Sequence, residues 1–554
     1  MGDVARIEVD CTRALPPLRR IWTSFGHDEL NWASTPRGRR NLAVLAGFAE
    51  SPYTVRAHNL FTSGPGRGLP HWSSGNVYHQ DAAGEATYDF TVFDAVFDAW
   101  VEHGLRPIVE LGFCPRALVP DGAALPFTPT PSQYGAYEAG LWAWPPRDPR
   151  RWGALVAETV RHACGRYGAA VVREWYWELW NEPDIFYWKG TPQQYLDLYD
   201  VTAEAVAAVL PEARIGGPAT TGGGAAFLDA FLAHCADGPN AASGGRGARL
   251  DFISFHTKGA AFRPWRSYGR LGPAGVEPGE RASPSTAKML REIRASLEAA
   301  GRHPAFRDRP VLVDECDASV PAHWGVYDNA NFAYRNTAYY PVFQIQLMRR
   351  LLDLDALGLP RIHAATTWSW YMEGDRYFEG TRSLFTAGDV PTPLLNAYRL
   401  LARLPARRLR TVSDRAAPEG AAAPRPEVDA LAARAEDGAR IAALVWHHSD
   451  DQYAEGSARV AVTFRGLPGA GRPALLRHWR IDAAHSNSHS AWVAAGRPQD
   501  PRPEQLAAIL GRSALELCAP EQALEAMPSD LVLEFDLPRP GVSLIEIEVR
   551  GAPG

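Results

Sequence analysis

The chain has 554 residues, 46% of them hydrophobic and 22% charged, which is typical of globular proteins and too long for one ordinary core. Its formal net charge is −6 and no basic run stands out, which argues against a nucleic-acid-binding protein. No apolar run reaches the length of a membrane span, and the start of the chain lacks the pattern of a signal peptide. We therefore expect a cytoplasmic protein with reduced thiols.

Strand-like and helix-like segments alternate along most of the chain. Eight strands are predicted near residues 21, 54, 105, 174, 214, 250, 310 and 362. Helical segments separate most of them, such as the amphipathic helix predicted for Phe90 to His103. This alternation indicates the α/β class and a (β/α)8 TIM barrel, whose chemistry lies at the carboxyl ends of the strands. We assign residues 15–404 to this catalytic barrel.

The pattern changes after Leu404. An Ala- and Pro-rich stretch at residues 416–426 is typical of a linker, and five strand-like segments with turns between them follow it. These segments predict an accessory C-terminal β-sandwich at residues 405–554, completed by a strand within residues 1–14. Residues 503–517 predict a small helical insertion in it.

The fourth barrel strand ends in Trp180, Asn181, Glu182 and Pro183. The proline stops the strand and favours an extended conformation of Glu182. A carboxyl group in an apolar rim has its charged form disfavoured, so Glu182 is a candidate general acid. The simpler alternative is that these residues only form a turn.

Glu315 is the candidate partner of Glu182. It ends the apolar seventh strand, and the ends of strands four and seven face one another across a barrel mouth. Carboxylates about 5–5.5 Å apart characterise retaining glycosidases, and about 6.5–9.5 Å inverting ones. The sequence leaves this distance open, and a solvated strand end is the alternative for Glu315.

Six segments together resemble glycoside hydrolase family 39, which comprises mainly β-xylosidases and α-L-iduronidases. They are TVRAHNL (54–60), VELGFCP (109–115), ELWNEPD (178–184), FISFHTKG (252–259), VLVDECD (311–317) and HWRIDAAHSN (478–487). The resemblance implies a retaining double displacement, with Glu182 as acid/base and Glu315 as nucleophile. It also implies that Asn181 contacts the 2-hydroxyl of the sugar.

Other residues at the ends of predicted strands are candidate sugar ligands. His58 and His256 follow strands two and six, and Lys258 is in register with a residue that family members place near the site. Phe113 and Trp324 can stack on a sugar ring, although single aromatic residues more often belong to the core. The hydroxyl of Tyr268 or Tyr327 is a candidate partner for Glu315.

One segment departs from the family pattern. Family xylosidases carry Phe-His-Gly-Gly after strand eight, and this chain has no such histidine between Glu373 and Arg382. Glu373 is the candidate acid that binds sugar hydroxyls. Arg382 suits a sugar carboxylate, because its fork matches a planar acid; alternatively it pairs with Glu379 or Asp375.

These observations predict a retaining, exo-acting β-xylosidase that releases xylose from the non-reducing end of short xylo-oligosaccharides. An α-L-arabinoside, a β-glucoside or galactoside, or an α-L-iduronide is the alternative substrate, and a carbohydrate-binding protein on an inactive barrel is the non-enzyme alternative. No metal or other cofactor is expected, because the six scattered cysteines lack CxxC spacing and no HExxH motif is present. The expected partner is a glycoside or oligosaccharide, and the sequence leaves the oligomeric state open.

Overall fold

The computed structural model describes residues 4–28, 30–48, 52–64, 74–123, 142–262, 276, 278–320, 322, 324–368, 370, 376–417 and 426–550. The strands, in chain order, are β1 (Ala5–Pro17), β2 (Ser24–His27), β3 (Thr54–Ala57), β4 (Tyr78–Gln80), β5 (Ala86–Tyr88), β6 (Arg106–Leu111), β7 (Tyr176–Leu179), β8 (Arg214–Thr220), β9 (Phe252–Lys258), β10 (Val311–Asp317), β11 (Ile362–Ala365), β12 (Phe385–Thr386), β13 (Val390–Pro391), β14 (Arg407–Ser413), β15 (Glu427–Arg434), β16 (Arg440–His448), β17 (Gly456–Arg465), β18 (Ala474–Ile481), β19 (Glu516–Leu517), β20 (Gln522–Leu524), β21 (Leu531–Arg539) and β22 (Gly541–Val549).

The α-helices are α1 (Pro36–Ala46), α2 (Thr91–Glu102), α3 (Pro149–Tyr167), α4 (Ala169–Val172), α5 (Pro192–Val209), α6 (Ala225–Asp237), α7 (Thr286–Gly301), α8 (Tyr339–Asp353), α9 (Pro393–Ala402), α10 (Ser488–Ala494) and α11 (Pro503–Gly511). Short 3-10 helices cover Leu30–Ser34, Arg116–Leu118, Pro278–Glu280, Pro304–Phe306, Ala330–Asn336, Leu354–Leu357 and Ala387–Asp389. The helix that the sequence predicts from Asn329 to Leu352 is therefore divided, because α8 begins only at Tyr339 after a 3-10 segment.

Eight parallel strands form a barrel. The strands β2, β3, β6, β7, β8, β9, β10 and β11 follow one another around it in this order. The ring closes where the Ala365 N–H donates to the carbonyl of Ile21 at 2.7 Å and the Thr367 N–H to that of Ser24 at 3.0 Å. The predicted (β/α)8 barrel is confirmed, and each of the eight strands lies at its predicted place in the chain.

A second, ten-stranded sheet contains the C-terminal strands and β1. Its main path runs β19, β18, β22, β16, β15, β14, β1, β17 and β21, and β20 pairs with β18. Because β21 at one end also packs against β16 and β22, the sheet folds over itself into two layers. The predicted accessory β-sandwich is thus confirmed. The predicted N-terminal strand is its β1, which pairs antiparallel with β14 and parallel with β17.

The two sheets are joined through α8 and α9, which pack against β16, β18 and β22. At this contact Glu546 accepts hydrogen bonds from Trp479 at 2.6 Å and from Arg403 at 2.7 Å. Asp450 caps the start of α7, accepting from the main chain of Thr286 at 2.9 Å and from its hydroxyl at 2.8 Å.

We keep the division at residues 404 and 405 as a proposal: α9 ends at Ala402 and β14 begins at Arg407, whereas β1 continues past residue 14 to Pro17. The helical insertion predicted for residues 503–517 corresponds to α11 followed by the short β19. Within the described part of the chain, no helix is long and apolar enough to cross a membrane.

Candidate active site

Glu182 and Glu315 meet at the carboxyl ends of the barrel strands. Glu182 follows β7 and Glu315 lies near the end of β10. One oxygen of each carboxylate and one ring nitrogen of His256 lie within 4.8 Å of one another. This distance suits the close carboxyl pair of retaining glycosidases, about 5–5.5 Å, and is too short for an attacking water between the two groups.

The backbone of Glu182 is left-handed, with φ of 43°. The prediction that Pro183 holds it extended is therefore wrong. The chain turns sharply here: the Glu182 N–H donates to the carbonyl of Ala219 at 2.9 Å, and its carbonyl accepts from Ile185 at 3.2 Å. Such a conformation costs about 1–3 kcal/mol in a residue other than glycine. It accompanies a carboxylate that lies 2.9 Å from His256 Nδ1 and is 15% exposed.

Glu315 is buried among positively charged neighbours. Its Oε2 lies 2.7 Å from the ammonium of Lys258, and its Oε1 lies 3.3 Å from His58 Nε2 and 3.5 Å from Arg56. Burial alone would raise the pKa of Glu315, but the charge of Lys258 and the hydrogen bond and charge of His58 outweigh it and hold this pKa well below the usual range. Glu315 is accordingly ionised at neutral pH.

His58 is positively charged. Its Nδ1 lies 2.5 Å from the buried carboxylate of Glu110. Burial alone would lower the pKa of His58, but the charge of Glu110 and hydrogen bonds with Glu110 and Glu315 raise it to about 10. His58 thus adds a second cation beside Glu315, at the strand end where the sequence places it.

Arg56, which the sequence analysis did not single out, occupies the middle of the barrel mouth. It is fully buried and donates to Glu178 at 2.7 Å and to Asn181 Oδ1 at 3.1 Å, and it lies 2.9 Å from Glu110. Because Asn181 accepts through its oxygen, its NH2 group remains for another acceptor; no described residue takes its hydrogen bond. An arginine inside an otherwise apolar strand was the available signal, since a buried charge needs partners.

Comparison with known proteins decides the family. The family model "Glycosyl hydrolases family 39" matches residues 5–514. The chain belongs to this family, and it is a glycoside hydrolase. It is 25% identical over 523 residues to a β-xylosidase of Geobacillus stearothermophilus, covering 92% of this chain and 91% of the relative. It is 28% identical over 536 residues to human α-L-iduronidase, covering 90% of this chain and 72% of the relative.

The fold is also shared with a solved family relative. A crystal structure of the bacterial orthologue of human α-L-iduronidase superposes with a TM-score of 0.77 at 21% identity, covering 100% of this chain and 85% of that one. The suspected resemblance to family 39 is therefore confirmed.

Asp317 joins two cations beside the nucleophile candidate of this family 39 enzyme. It is fully buried at the end of β10 and accepts from Lys258 at 2.6 Å and from the main chain of Trp368 at 2.9 Å. Arg382 also donates to Asp317. The sequence suggests Glu379 or Asp375 as the partner of Arg382, whereas the described partner is Asp317; Asp375 lies outside the described residues. Residues two apart in a strand share a face, so Asp317 lies on the side of Glu315.

The aromatic candidates occupy different surroundings. Phe113 is 1% exposed and packs between Trp142, with ring centroids 4.6 Å apart, and Tyr187, with centroids 5.8 Å apart. Trp324 is half-buried in the segment after β10, and its carbonyl accepts from Arg335. Their proposed contact with sugar stays a prediction.

Trp368, not identified from the sequence, lies against the site, with its ring centroid 4.4 Å from that of His58. Tyr327 lies under the guanidinium of Arg376, 4.1 Å away, and the hydrogen bonds that Glu315 receives in the described part of the chain come from Arg56 and Lys258 instead. Glu373 and Tyr268 fall outside the described residues.

Glu182, His256 and Glu315 are close enough to be considered as ligands of a metal ion. We do not assign them that role, because Lys258 and Arg56 already bring positive charge to Glu315 within hydrogen-bond range. The positive charges of Lys258 and Arg56 would repel a divalent cation placed between the two carboxylates. The site therefore suits direct catalysis by the two carboxyl groups, without a metal ion between them.

Proposed function

We propose that this family 39 enzyme hydrolyses glycosides with retention of the anomeric configuration, with Glu182 as acid/base and Glu315 as nucleophile. The observation that carries the proposal is the close pair of carboxyl groups in opposite surroundings. Glu315 is buried between Lys258 and His58, which keep it ionised. Glu182 is partly exposed and lies beside the imidazole of His256, which can be neutral.

In the first step the Glu315 carboxylate attacks the anomeric carbon as the glycosidic bond breaks, and Glu182 transfers its proton to the departing oxygen. In the second step Glu182 removes a proton from water, the water oxygen attacks the anomeric carbon, and the ester to Glu315 breaks. The amide of Asn181 is oriented by Arg56 to donate to the 2-hydroxyl of the sugar, a contact that strengthens in the transition state.

We propose a β-xyloside as the first substrate, released as xylose from the non-reducing end of short xylo-oligosaccharides. Two curated β-xylosidases match 92% and 80% of the chain. The α-L-iduronide is the second candidate. A β-D-xyloside has the ring configuration of an α-L-iduronide and lacks only the carboxylate on C5.

The observation that favours the iduronide is the pair Lys258 and Arg382, two cations that share the single carboxylate of Asp317 beside Glu315. Lys258 and Arg382 each have several N–H groups, and either residue can donate one or more of them to a sugar carboxylate. The relation to human α-L-iduronidase, at 28% identity, points in the same direction.

Matched nitrophenyl β-D-xyloside and nitrophenyl α-L-iduronide, tested with the purified protein, decide between the two sugars. Inactivity on the xyloside with hydrolysis of the iduronide would refute the first choice.

Retention is tested by NMR observation of the first anomer released. Glu182→Ala and Glu315→Ala should each reduce hydrolysis at least about 1,000-fold, and azide should restore turnover. Initial release of the inverted anomer by the wild-type enzyme would refute the proposed mechanism.

We also propose that the protein acts in the cytoplasm. The structure shows all six cysteines as free thiols, as expected of a reducing compartment. Fractionation of the source cells with an activity assay tests this proposal.

A further inference from the structure

Two carboxyl groups lie buried side by side beneath the catalytic pair. Glu178 on β7 and Asp314 on β10 are both fully buried, and both face the same nitrogen of Arg56, at 2.7 Å and 3.4 Å. Oxygen Oε1 of Glu178 and both oxygens of Asp314 receive no hydrogen bond from a protein N–H or O–H of the described residues. Two bare carboxylates would repel one another strongly here, so a shared proton accounts for the arrangement.

Asp314 is the residue that holds this proton. Burial and the charge of Glu178 raise the pKa of Asp314 well above its usual range. Burial opposes ionisation of Glu178 too, but Arg56 and the hydrogen bond from Asp314 lower the pKa of Glu178. These opposite directions favour the proton on Asp314, donated to ionised Glu178, and leave the other oxygen of Asp314 as an acceptor.

The remaining acceptor faces His256. Asp314 Oδ1 lies 3.5 Å from Nε2 of the imidazole. Both atoms are fully buried, and neither makes a hydrogen bond to another described residue. On the opposite edge of the ring, Nδ1 lies 2.9 Å from Glu182 and 3.8 Å from Glu315. The charged and titratable groups that face His256 are thus Asp314 on one side and the two catalytic candidates on the other.

We propose that Asp314 is a positioning residue that keeps the proton of His256 on Nε2, so that Nδ1 accepts a hydrogen bond from protonated Glu182. The inference rests on the proposed function. Because the proton of Asp314 is directed to Glu178, Oδ1 can only accept. An N–H on Nε2 is then attracted to Oδ1 across the 3.5 Å contact, whereas a lone pair on Nε2 would be repelled by it. The opposite tautomer would place an N–H against Glu182 and favour its carboxylate, which is the wrong form for the first step.

The same arrangement serves both steps. In the first, the Glu182 O–H gives its proton to the departing oxygen while the bond from Glu315 to the anomeric carbon forms. In the second, the Glu182 carboxylate faces the lone pair of Nδ1, which increases its tendency to take the proton of the attacking water. His256 and Asp314 keep their own protons throughout, so neither is consumed or released.

Asp314→Asn and Asp314→Ala separate this role from a purely structural one. Asparagine is a neutral isostere that can donate to Glu178 and accept from His256, so Asp314→Asn should retain activity within about 3-fold. Asp314→Ala should lower kcat/KM about 10- to 100-fold for the phenyl glycoside of the sugar that the enzyme hydrolyses, because the phenol leaving group needs protonation by a general acid. With the dinitrophenyl glycoside, whose leaving group needs little protonation, the loss should stay within about 3-fold.

A matched control is the buried pair Asp200 and His234, with an O–N distance of 2.9 Å, which lies on α5 and α6 away from the barrel mouth. Asp200→Ala should lower stability without changing the ratio of kcat/KM for the phenyl and the dinitrophenyl glycosides.

The alkaline limb of the kcat/KM profile should move to lower pH in Asp314→Ala and not in Asp200→Ala. Heteronuclear NMR of histidine-labelled protein should show His256 protonated on Nε2 in the wild type and Asp314→Asn proteins.

The proposal is overturned if Asp314→Asn loses as much activity as Asp314→Ala, or if the alanine variant loses equally on both glycosides. It is equally overturned if NMR shows the proton on Nδ1 in the wild type. The proposed function is tested separately by Glu182→Ala, which should be slow on the phenyl glycoside whatever the role of Asp314. If Glu182→Ala remained fully active, the catalytic assignment itself would fail.

Discussion

Replacing Lys258 by Met removes the cation closest to Glu315 while keeping an unbranched side chain of similar length. The ammonium lies 2.7 Å from Glu315 and 2.6 Å from Asp317, and its side chain is 12% exposed. With an effective dielectric constant of about 20, a contact of this length contributes about 6 kcal/mol of attraction before desolvation is subtracted. Breaking a buried ion pair by removing one partner costs about 3–5 kcal/mol of stability.

The variant should also change the pH dependence of hydrolysis. Lys258 is the strongest of the groups that lower the pKa of Glu315 against the effect of burial. Without it this pKa rises, so Glu315 becomes protonated at a higher pH than in the wild type. We expect the acid limb of the kcat/KM profile to move upward by at least about 1 pH unit, equivalent to about 1.4 kcal/mol.

The pH dependence of stability follows with the same sign. A carboxyl group with a lowered pKa in the folded state stabilises the protein above its unfolded pKa, and this contribution is lost as the pH falls through the folded value. The wild type should therefore lose this stabilisation at lower pH than the Lys258→Met variant. Lys189→Met, at an exposed lysine, is the control. An unchanged acid limb in Lys258→Met would refute the electrostatic account of Glu315.

Three further changes test other contacts by urea unfolding. Arg56→Met should lower the free energy of unfolding by about 3–5 kcal/mol, because Glu178 would lose its buried cation. Asp450→Ala should cost about 1–3 kcal/mol by uncapping Thr286 at the start of α7, with the smallest difference from wild type at low pH. Thr191→Ala should cost about 1 kcal/mol by removing the capping box of α5.

The fold was predictable because periodicity is a local signal that repeats. Each barrel strand is a short apolar run followed by a helix. Eight copies of this pattern identify the barrel even where the predicted first or last residue of a single strand is wrong. The first strand illustrates the residual error: the sequence begins it at Ile21, and the paired residues begin at Ser24. The division of the predicted Asn329–Leu352 helix was not visible in its apolar spacing.

The buried charge network was the part that sequence reasoning missed. Arg56 bonds to Glu178, 122 positions away in the chain, and to Glu315, 259 positions away. Such partners meet only when the barrel closes, so no local pattern signals them. His58, His256 and Lys258 were easier to propose, because residues at strand ends share one rim of the barrel whatever the registers are.

Glu182 and Glu315 are the same residue type, and their surroundings rather than their chemistry distinguish them. Glu315 receives hydrogen bonds or ion pairs from Lys258, His58 and Arg56, all of which stabilise a carboxylate. Glu182 has one side-chain hydrogen-bond partner among the described residues, His256, which can accept as well as donate. The surroundings therefore support the proposed roles of Glu315 as nucleophile and Glu182 as acid/base, because the cations of the described residues lie on the Glu315 side of a pair whose oxygens are within 4.8 Å.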